Sequence, residues 1–174
     1  MKEKYHSLNI QPDYAALAKT IPIIPIWDDH DYGLNDAGRE YTMKEASAQL
    51  FFKAFKFPKH HEAQKTPGVV YHSRIMGPKG KRVQFIMLDT RYFRSPLKKI
   101  KEGKRKVYQI EKGPDATILG KDQWQWLETQ LKKPAELRII VSSIQVINTE
   151  HRFEKWSNIP NERRKLLKLL RDSS

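Results

Sequence analysis

The stretch WDDHDYGLND, residues 27–36, is the segment around which the rest of the chain is organised. It carries a dense set of ionisable groups: Asp28, Asp29, His30, Asp31 and Asp36. An apolar run, residues 21–26, comes directly before it and predicts a buried strand, although Pro22 and Pro25 interrupt the run. Because α/β folds place their chemistry in loops at strand ends, this acidic segment is the candidate functional site.

Two interpretations of the acidic segment are open from the residues alone. A group of acids in a loop is often a solvated turn, whereas the flanking Trp27 and Tyr32 indicate acids that are held in place. Adjacent carboxylates raise one another's pKa unless a cation neutralises them, and a divalent ion does so best. Oxygen and imidazole ligands suit calcium, magnesium, manganese, iron or zinc. His30 has a second role open to it, since an imidazole beside Asp31 is placed to give a proton to a leaving group.

The composition describes one domain with an excess of positive charge. The chain has 174 residues, of which 39% are hydrophobic, enough to bury a core. No segment reaches the length of a membrane helix or resembles a signal peptide, so no membrane partner is expected and a cytoplasmic location is the default. The absence of cysteine excludes a disulfide framework and thiolate metal sites.

The net charge of +13 attracts any polyanion, and nucleic acid is the obvious candidate. The densest basic run, residues 98–106, contains glycine and has no aromatic side chain to stack on bases. We therefore interpret residues 98–118 as a basic insertion loop and expect no specific nucleic-acid partner. A positive field would equally attract a small phosphorylated substrate, and the charge alone does not choose between them.

Hydrophobic periodicity predicts the remaining elements. Helices are expected at residues 12–18, at 42–54 with a capping box formed by Thr42 and Glu45, at 120–133, and from Pro160 onward. Strands are expected at residues 69–75, 81–88 and 137–141, the first two joined as a hairpin through residues 76–80. Strands that alternate with helices predict an α/β (α+β) domain with mixed β-sheets flanked by helices.

Further polar residues follow the predicted strands. Asp89 and Arg91 come after the second strand, where Arg91 either pairs with Asp89 or contacts the oxygens of a phosphate. Ser142 and Ser143 follow the third strand. His60 and His61 lie in a lysine-rich loop, where adjacent histidines are more often surface residues than ligands.

Five strings of sequence together resemble the PhoD-like (alkaline phosphatase D) phosphatases, which belong to the calcineurin-like metallophosphoesterases. They are WDDHDYGLNDAG, LDTRYFRSP, LGKDQWQWLETQLKKPA, IIVSSIQ and EKWSNIPNER, and they cover nearly the whole chain in the family's order. The resemblance implies a sandwich of two sheets flanked by helices. It also implies a two-metal centre at the strand ends that hydrolyses phosphate monoesters or diesters with an activated hydroxide.

The resemblance assigns roles to residues of the acidic segment. The superfamily's Asn-His-Asp/Glu block falls on Asp29, His30 and Asp31, so Asp29 would ligate a metal, His30 would face the scissile phosphate and Asp31 would orient the imidazole. Additional ligands, or groups that support the ligands, would be Asp28, Asn35 and Asp36. Arg91 matches the arginine of the LDTR string and is the candidate for contact with phosphate. The complete protein would hold two divalent ions, calcium with iron, manganese or zinc as alternatives.

The sequence also departs from the superfamily's pattern. Ser142, Ser143 and Gln145 stand where many members carry a metal-binding histidine, so that ligand is altered or absent. The Gly-Asp block expected before residue 27 and the Gly-Asp-x-His block expected after the last helix are not found. We therefore expect residues 1–174 to be one PhoD-like domain that is incomplete at both ends, a partial metallophosphoesterase sandwich.

Three functional hypotheses follow. The chain is a fragment of a phosphatase with little activity alone, an enzyme completed by another chain, or a non-catalytic protein that binds polyanions through its basic surface. Unpaired edges of the sheets would also promote self-association. Because members of the family are often exported, the location of the full product stays open.

Overall fold

The computed structural model describes residues 1–58, 61, 63 and 68–173. Its helices are α1 (Lys2–Ile10), α2 (Pro12–Thr20), α3 (Asp29–Tyr32), α4 (Lys44–Ala54), α5 (Gly120–Leu131) and α6 (Pro160–Asp172). Its strands are β1 (His72–Met76), β2 (Val83–Leu88), β3 (Lys99–Glu102), β4 (Arg105–Tyr108) and β5 (Leu137–Ser142). A short 3₁₀ helix, Trp156–Asn158, precedes α6. The predicted fold class, an α+β domain with mixed sheets flanked by helices, is confirmed.

The central sheet has three strands in the order β1-β2-β5. β1 pairs with β2 in the antiparallel sense, and β2 pairs with β5 in the parallel sense, with Val83 opposite Leu137. The predicted hairpin is present, although both of its strands begin later than expected, at His72 and Val83. Its turn needs glycine at position 77, where φ is +95° and a Cβ atom would lie 2.3 Å from the carbonyl oxygen of Lys81.

Helices α5 and α6 cover one face of this sheet. Trp124, Leu127 and Leu131 recur on one side of α5 and pack against Ile86 and Leu88 of β2, as their spacing predicts. Ile140 of β5 and Leu166 of α6 join the same cluster. Complete burial of each such aliphatic side chain contributes about 1.5–3 kcal/mol, so this cluster anchors β2 and its carboxyl end.

The acidic segment is anchored by a second, largely aromatic cluster. Trp27 and Tyr32, at either end of residues 27–32, are fully buried, and their rings lie 5.0 Å apart in an edge-on arrangement. Phe51 of α4 packs on Trp27 with the ring centroids 5.8 Å apart. Tyr5 of α1 belongs to the same cluster. The acids are therefore carried on a packed support.

Residues 21–26 do not form a strand with any described residue, so that prediction is wrong. Pro22 and Pro25 have no N–H group to donate to a neighbouring strand. Ile21 and Ile23 remain 53% and 38% exposed. The run is apolar, yet its prolines remove the hydrogen bonds that would turn it into part of a sheet.

The basic insertion is also more ordered than predicted. Instead of a loop throughout residues 98–118, it contains an antiparallel hairpin in which β3 and β4 are joined at Gly103 and Lys104. Gly103 has φ of +58°, the left-handed conformation that such a tight turn uses. The exposed strands of this two-stranded sheet bury little apolar surface. Their sequence, in which lysines alternate with other residues, therefore resembles that of a loop.

The helix ends differ in detail from the predictions. Helix α1 was not predicted, and α2 extends to Thr20 instead of residue 18. The expected capping box does not form, because α4 begins at Lys44 with Met43 as its N-cap and no side chain capping it. None of the described helices is long and apolar enough to cross a membrane.

Sheet edges remain in the described part of the chain. β1 and β5 are the outer strands of the central sheet, and Leu137 and Ile139 of β5 are 55% and 39% exposed. Edges of this kind are templates for pairing with another chain. Self-association therefore stays a prediction.

Candidate metal centre

The carboxylate of Asp29 is fixed by the backbone of the acidic segment. Its Oδ1 accepts a hydrogen bond from the backbone N of His30 at 2.8 Å, and its Oδ2 accepts one from the backbone N of Asp36 at 2.9 Å. Gly33 makes the turn between them, with φ of +152°, and a Cβ atom there would lie 2.3 Å from the ring of Tyr41. These bonds favour the held arrangement of the acids over a solvated turn.

Three carboxylates converge beside this turn. One oxygen each from Asp29, Asp36 and Glu154 lies within 4.8 Å of the other two. Asp29 and Asp36 come from the acidic segment, whereas Glu154 arrives from the loop before the 3₁₀ helix. We call these three residues the carboxylate cluster. Sequence reasoning did not assign a role to Glu154, although it is the first residue of the EKWSNIPNER string.

Asp36 is held by donors from two directions. Its Oδ2 accepts hydrogen bonds from Asn35 Nδ2 at 2.6 Å and from the hydroxyl of Tyr108, and Lys99 Nζ lies 3.5 Å away. Burial and the hydrogen bond to Asp36 raise the pKa of Tyr108 to about 12, so the phenol remains a donor. Asn35, predicted as a ligand or support, is therefore placed as a support of Asp36. The hairpin β3–β4 is tied to the carboxylate cluster through Tyr108 and Lys99.

Arg91 links Glu154 of the carboxylate cluster to Asp28. Its side chain is completely buried, and its guanidinium donates to the carboxylates of both Asp28 and Glu154. Burial would lower the pKa of Arg91, but the hydrogen bonds and charges of Glu154 and Asp28 outweigh it and the pKa is raised. An ion pair with Asp89, one of the two alternatives for Arg91, is not formed, since only the backbone N of Arg91 donates to Asp89, at 2.9 Å.

The contacts of Asp28 and Arg91 differ from those that their predicted roles require. Asp28, expected as an additional metal ligand, points at Arg91 and is not part of the carboxylate cluster. Arg91, expected to contact phosphate, is committed to carboxylates and has no exposed side-chain surface. Arg91 thus orients Glu154 within the cluster, and a role in phosphate contact stays a prediction that this geometry does not favour.

Asp89 fixes the position of the acidic segment relative to the sheet. It follows β2, is fully buried, and accepts hydrogen bonds from Trp27 Nε1 at 2.8 Å and from the backbone N of Val70 at 3.3 Å. The backbone N groups of Arg91 and Tyr92 also donate to it, at 2.9 and 3.0 Å. Burial raises the pKa of Asp89, and these hydrogen bonds oppose the rise. Its position between Trp27 and β2 makes it a structural residue.

His30 and Asp31 occupy different environments. His30 is exposed at the surface of the acidic segment, where an imidazole can meet a ligand. Asp31 Oδ2 accepts a hydrogen bond from the backbone N of Asp28 at 3.3 Å, so it helps to close the first turn of α3. In the described part of the chain it makes no hydrogen bond to the His30 ring, and the roles of both residues in catalysis stay predictions.

The third strand end carries serines engaged with their neighbours. Ser143 Oγ lies 2.6 Å from Thr90 Oγ1, and Ser142 Oγ accepts a hydrogen bond from Trp156 Nε1 at 2.9 Å. Where many superfamily members have a metal-binding histidine, these hydroxyls support the packing. His151 follows later in the chain, and both of its buried ring nitrogens lack a hydrogen-bond partner among the described residues.

The predicted histidine pair is only partly described. His61 packs against Phe57 and His72, with ring centroids 4.7 and 5.2 Å away. It borders a cavity of about 470 Å³ beside β1 and is not part of the carboxylate cluster. His60 lies outside the described residues.

The donors of the carboxylate cluster fit a hard divalent cation. Carboxylate oxygens are the ligands that calcium, magnesium and manganese prefer. Burial raises the pKa of Glu154, and the hydrogen bond and charges of Arg91 and Arg94 counter this rise. A cation between Asp29, Asp36 and Glu154 would favour the ionised form further. In residues 1–58, 61, 63 and 68–173 no second group of three or more acidic or histidine ligands accompanies it.

Comparisons with known proteins identify the family to which the chain belongs. The family model described as PhoD-like phosphatase matches residues 2–174, and the chain therefore belongs to the PhoD-like phosphatase family. A solved structure described as "Structure of PhoD" is similar in fold, with a TM-score of 0.63 and 19% sequence identity. The match covers 93% of this chain and 34% of the other, so the chain spans about a third of that structure's length. A search of curated proteins found no match.

Proposed function

We propose that this chain carries a divalent metal site of a phosphoric ester hydrolase that acts on phosphate monoesters or diesters. The observation that supports the proposal is the convergence of Asp29, Asp36 and Glu154 in a chain of the PhoD-like family. Calcium is the first candidate, with iron, manganese or zinc as alternatives, and the complete protein would hold two ions. Because the cluster offers ligands for one ion, we propose that the chain alone has little activity.

The chain's own residues would divide the work between orientation and proton transfer. A bound divalent ion supplies positive charge that polarises a phosphoryl oxygen. Arg91 and Tyr108 keep Glu154 and Asp36 in position through the hydrogen bonds described above. His30, exposed on the same segment as Asp29, would protonate the departing ester oxygen. Two of the proposed metal ligands and the proton donor thus come from the acidic segment, and Glu154 comes from the loop before the 3₁₀ helix.

Calorimetric titration with calcium, manganese and zinc tests the metal site. We expect weak binding by the chain, because three carboxylates do not complete a dinuclear ligand set. Asp29→Asn should abolish this binding, whereas the control Asp13→Asn, an exposed acid in the first turn of α2, should leave it unchanged. Equal binding by both variants would contradict the proposal. A tight isotherm for two ions would show that the chain contributes further ligands, with His151 as the first residue to test.

A second candidate function is polyanion binding without catalysis. The observation that favours it is the exposed hairpin β3–β4, which carries a dense set of basic side chains. Binding of this kind needs no metal and falls steeply with salt. Retention of heparin by the Asp29→Asn variant, together with no ester hydrolysis under any metal condition, would favour this function over the first.

A further inference from the structure

A cleft of about 430 Å³ leads outward from the carboxylate cluster. Asp36, a member of that cluster, lines the cleft together with Lys99, Lys106 and Tyr108 of the hairpin β3–β4. Arg152 and Phe153, close in sequence to Glu154, also line it. A ligand in this cleft would therefore reach from the proposed metal site to the outer surface of the hairpin.

We propose that this cleft binds the leaving-group portion of a nucleotide substrate, with a second phosphate on the basic residues and the base on Phe153. The inference rests on the proposed phosphatase function, since it concerns the part of the substrate that lies beyond the reacting phosphate. For a nucleoside diphosphate, water would attack the terminal phosphorus, the phosphoanhydride bond would break, and inorganic phosphate and the nucleoside monophosphate would be released. Its volume falls in the range of small-molecule sites, about 300–1,000 Å³, and is too small for a nucleic-acid duplex.

The positive charge of the cleft is available to an anion. Lys106 and Arg152 form no ion pair with any described residue, and both side chains are exposed. Lys99 is different, because its ammonium lies 3.5 Å from Asp36 and 4.9 Å from the centroid of the Tyr108 ring. Lys99 lies opposite Tyr108 in the hairpin register, so both side chains stand on the same face of the sheet. Lys99 supports the cluster, whereas Lys106 and Arg152 are positioned for a second phosphate.

Phe153 provides an apolar surface beside these cations. Its side chain is 62% exposed, although exposure of a phenyl ring to water does not stabilise the fold. The Arg152 guanidinium lies 5.1 Å from its ring centroid, which keeps the cation next to the aromatic surface. Exposed aromatic rings flanked by basic side chains are the surfaces on which nucleobases stack. Residues 98–106 lack such a ring in sequence, and the fold supplies it from a distant part of the chain.

The metal site, the exposed cations and the Phe153 ring together favour one class of substrate. A simple phosphate monoester would use the carboxylate cluster alone and leave Phe153 and Lys106 without a partner. A sugar phosphate with two phosphates would engage Lys106 and Arg152 but offer no flat apolar ring to Phe153. A nucleotide with at least two phosphates satisfies the metal site, the cations and the ring together.

Calorimetric titration with ADP, pyrophosphate and adenosine, each with calcium and again with a chelator, tests the inference on the full chain. We expect ADP to bind more tightly than either of its parts. Phe153→Ala should weaken binding of ADP about fivefold to a hundredfold and leave binding of pyrophosphate unchanged. The matched control Ile147→Ala, which removes another exposed apolar side chain, should change neither.

The charges are tested with a matched pair of lysines on one hairpin. Lys106→Gln should weaken binding of both ADP and pyrophosphate about twofold to fivefold, while Lys104→Gln, in the turn and outside the cleft, should not. Equal binding of ADP and pyrophosphate, or an unchanged ADP affinity in Phe153→Ala, would overturn the inference. Absence of metal binding by the unmodified chain, with Phe153-dependent binding of ADP retained, would instead overturn the proposed phosphatase function alone.

Discussion

Two groups of basic residues lie beside the same carboxylate cluster, and they differ in burial. Arg91 and Arg94 are 0% and 1% exposed, and both face Glu154. Lys106 and Arg152, which line the cleft, are exposed and have no ion-pair partner among the described residues. The buried arginines are committed to holding carboxylates, whereas the exposed residues can meet an anion from solution. The buried basic residues therefore hold carboxylates inside the fold, and the exposed ones are available to an anion at the surface.

The largest effect is expected at His30, the exposed residue that we propose as the proton donor. In a metal-loaded preparation that hydrolyses phosphate esters, His30→Ala should lower turnover about a hundredfold to ten-thousandfold on an ester with a poor leaving group. The loss should be far smaller on an activated aryl phosphate, whose leaving group needs no proton. Steady-state kinetics on both substrates, with the metal content measured, gives the comparison. Full activity on both substrates would mean that His30 is not the proton donor.

Removal of a buried arginine should act on folding instead. Arg91→Ala leaves the buried carboxylate of Glu154 without its main partner and should lower the free energy of unfolding by about 3–5 kcal/mol. Lys106→Ala, on the exposed side of the comparison, should change it by less than about 0.5 kcal/mol. Urea unfolding followed by circular dichroism measures both. Equal effects would remove the distinction between the two groups of cations.

The double variant Arg91→Met/Glu154→Met separates loss of the pair from loss of packing. Replacing both members of a buried pair with apolar side chains is often nearly neutral. The double variant should therefore be more stable than Arg91→Ala. A double variant as unstable as the single one would point to the partners that it leaves behind, Asp28 beside Arg91 and Arg94 beside Glu154.

A smaller effect is expected at the surface ion pair between Arg82 and Glu136. The hydrogen bonds from Arg82 lower the pKa of Glu136 to about 2. A lowered pKa means that the pair's contribution to stability is present above the unfolded pKa of a glutamate and is lost as the pH falls toward 2. Carboxyl NMR titration should show this late protonation, and Arg82→Gln should return the pKa of Glu136 to its ordinary value. Titration near 4.5 in the unmodified chain would show that the pair is not formed in solution.

Elements held together by local patterns could be predicted from the sequence. The face of α5 with Trp124, Leu127 and Leu131 follows from its 3.6-residue spacing, and the hairpin of β1 and β2 follows from two apolar runs around a glycine-containing turn. Residues 21–26 share the apolar character of a strand but lack donors at Pro22 and Pro25, so apolar content alone was misleading. The hairpin β3–β4 was missed for the opposite reason, since its strands are exposed and charged.

The candidate site could be predicted only in part, because the sequence shows which residues are adjacent and not which distant residues are in contact. The acidic segment was identified because its acidic residues are close together in sequence. Two of them, Asp29 and Asp36, belong to the carboxylate cluster, and their role as metal ligands stays a prediction. Glu154 lies in a segment without periodicity, and only the fold brings it to Asp29. An ion pair with the neighbouring Asp89 was one of two alternatives for Arg91, but backbone N–H groups already donate to that carboxylate. Pairing across long stretches of chain depends on tertiary packing that local sequence does not encode.

The most direct test of the metal site is anomalous diffraction from crystals of the chain soaked in manganese. The account predicts a peak about 2.0–2.6 Å from carboxylate oxygens of Asp29, Asp36 and Glu154, and loss of that peak in Asp29→Asn crystals. A peak bound by Asp28 and Asn35 without Glu154, or no peak at saturating manganese, would contradict it.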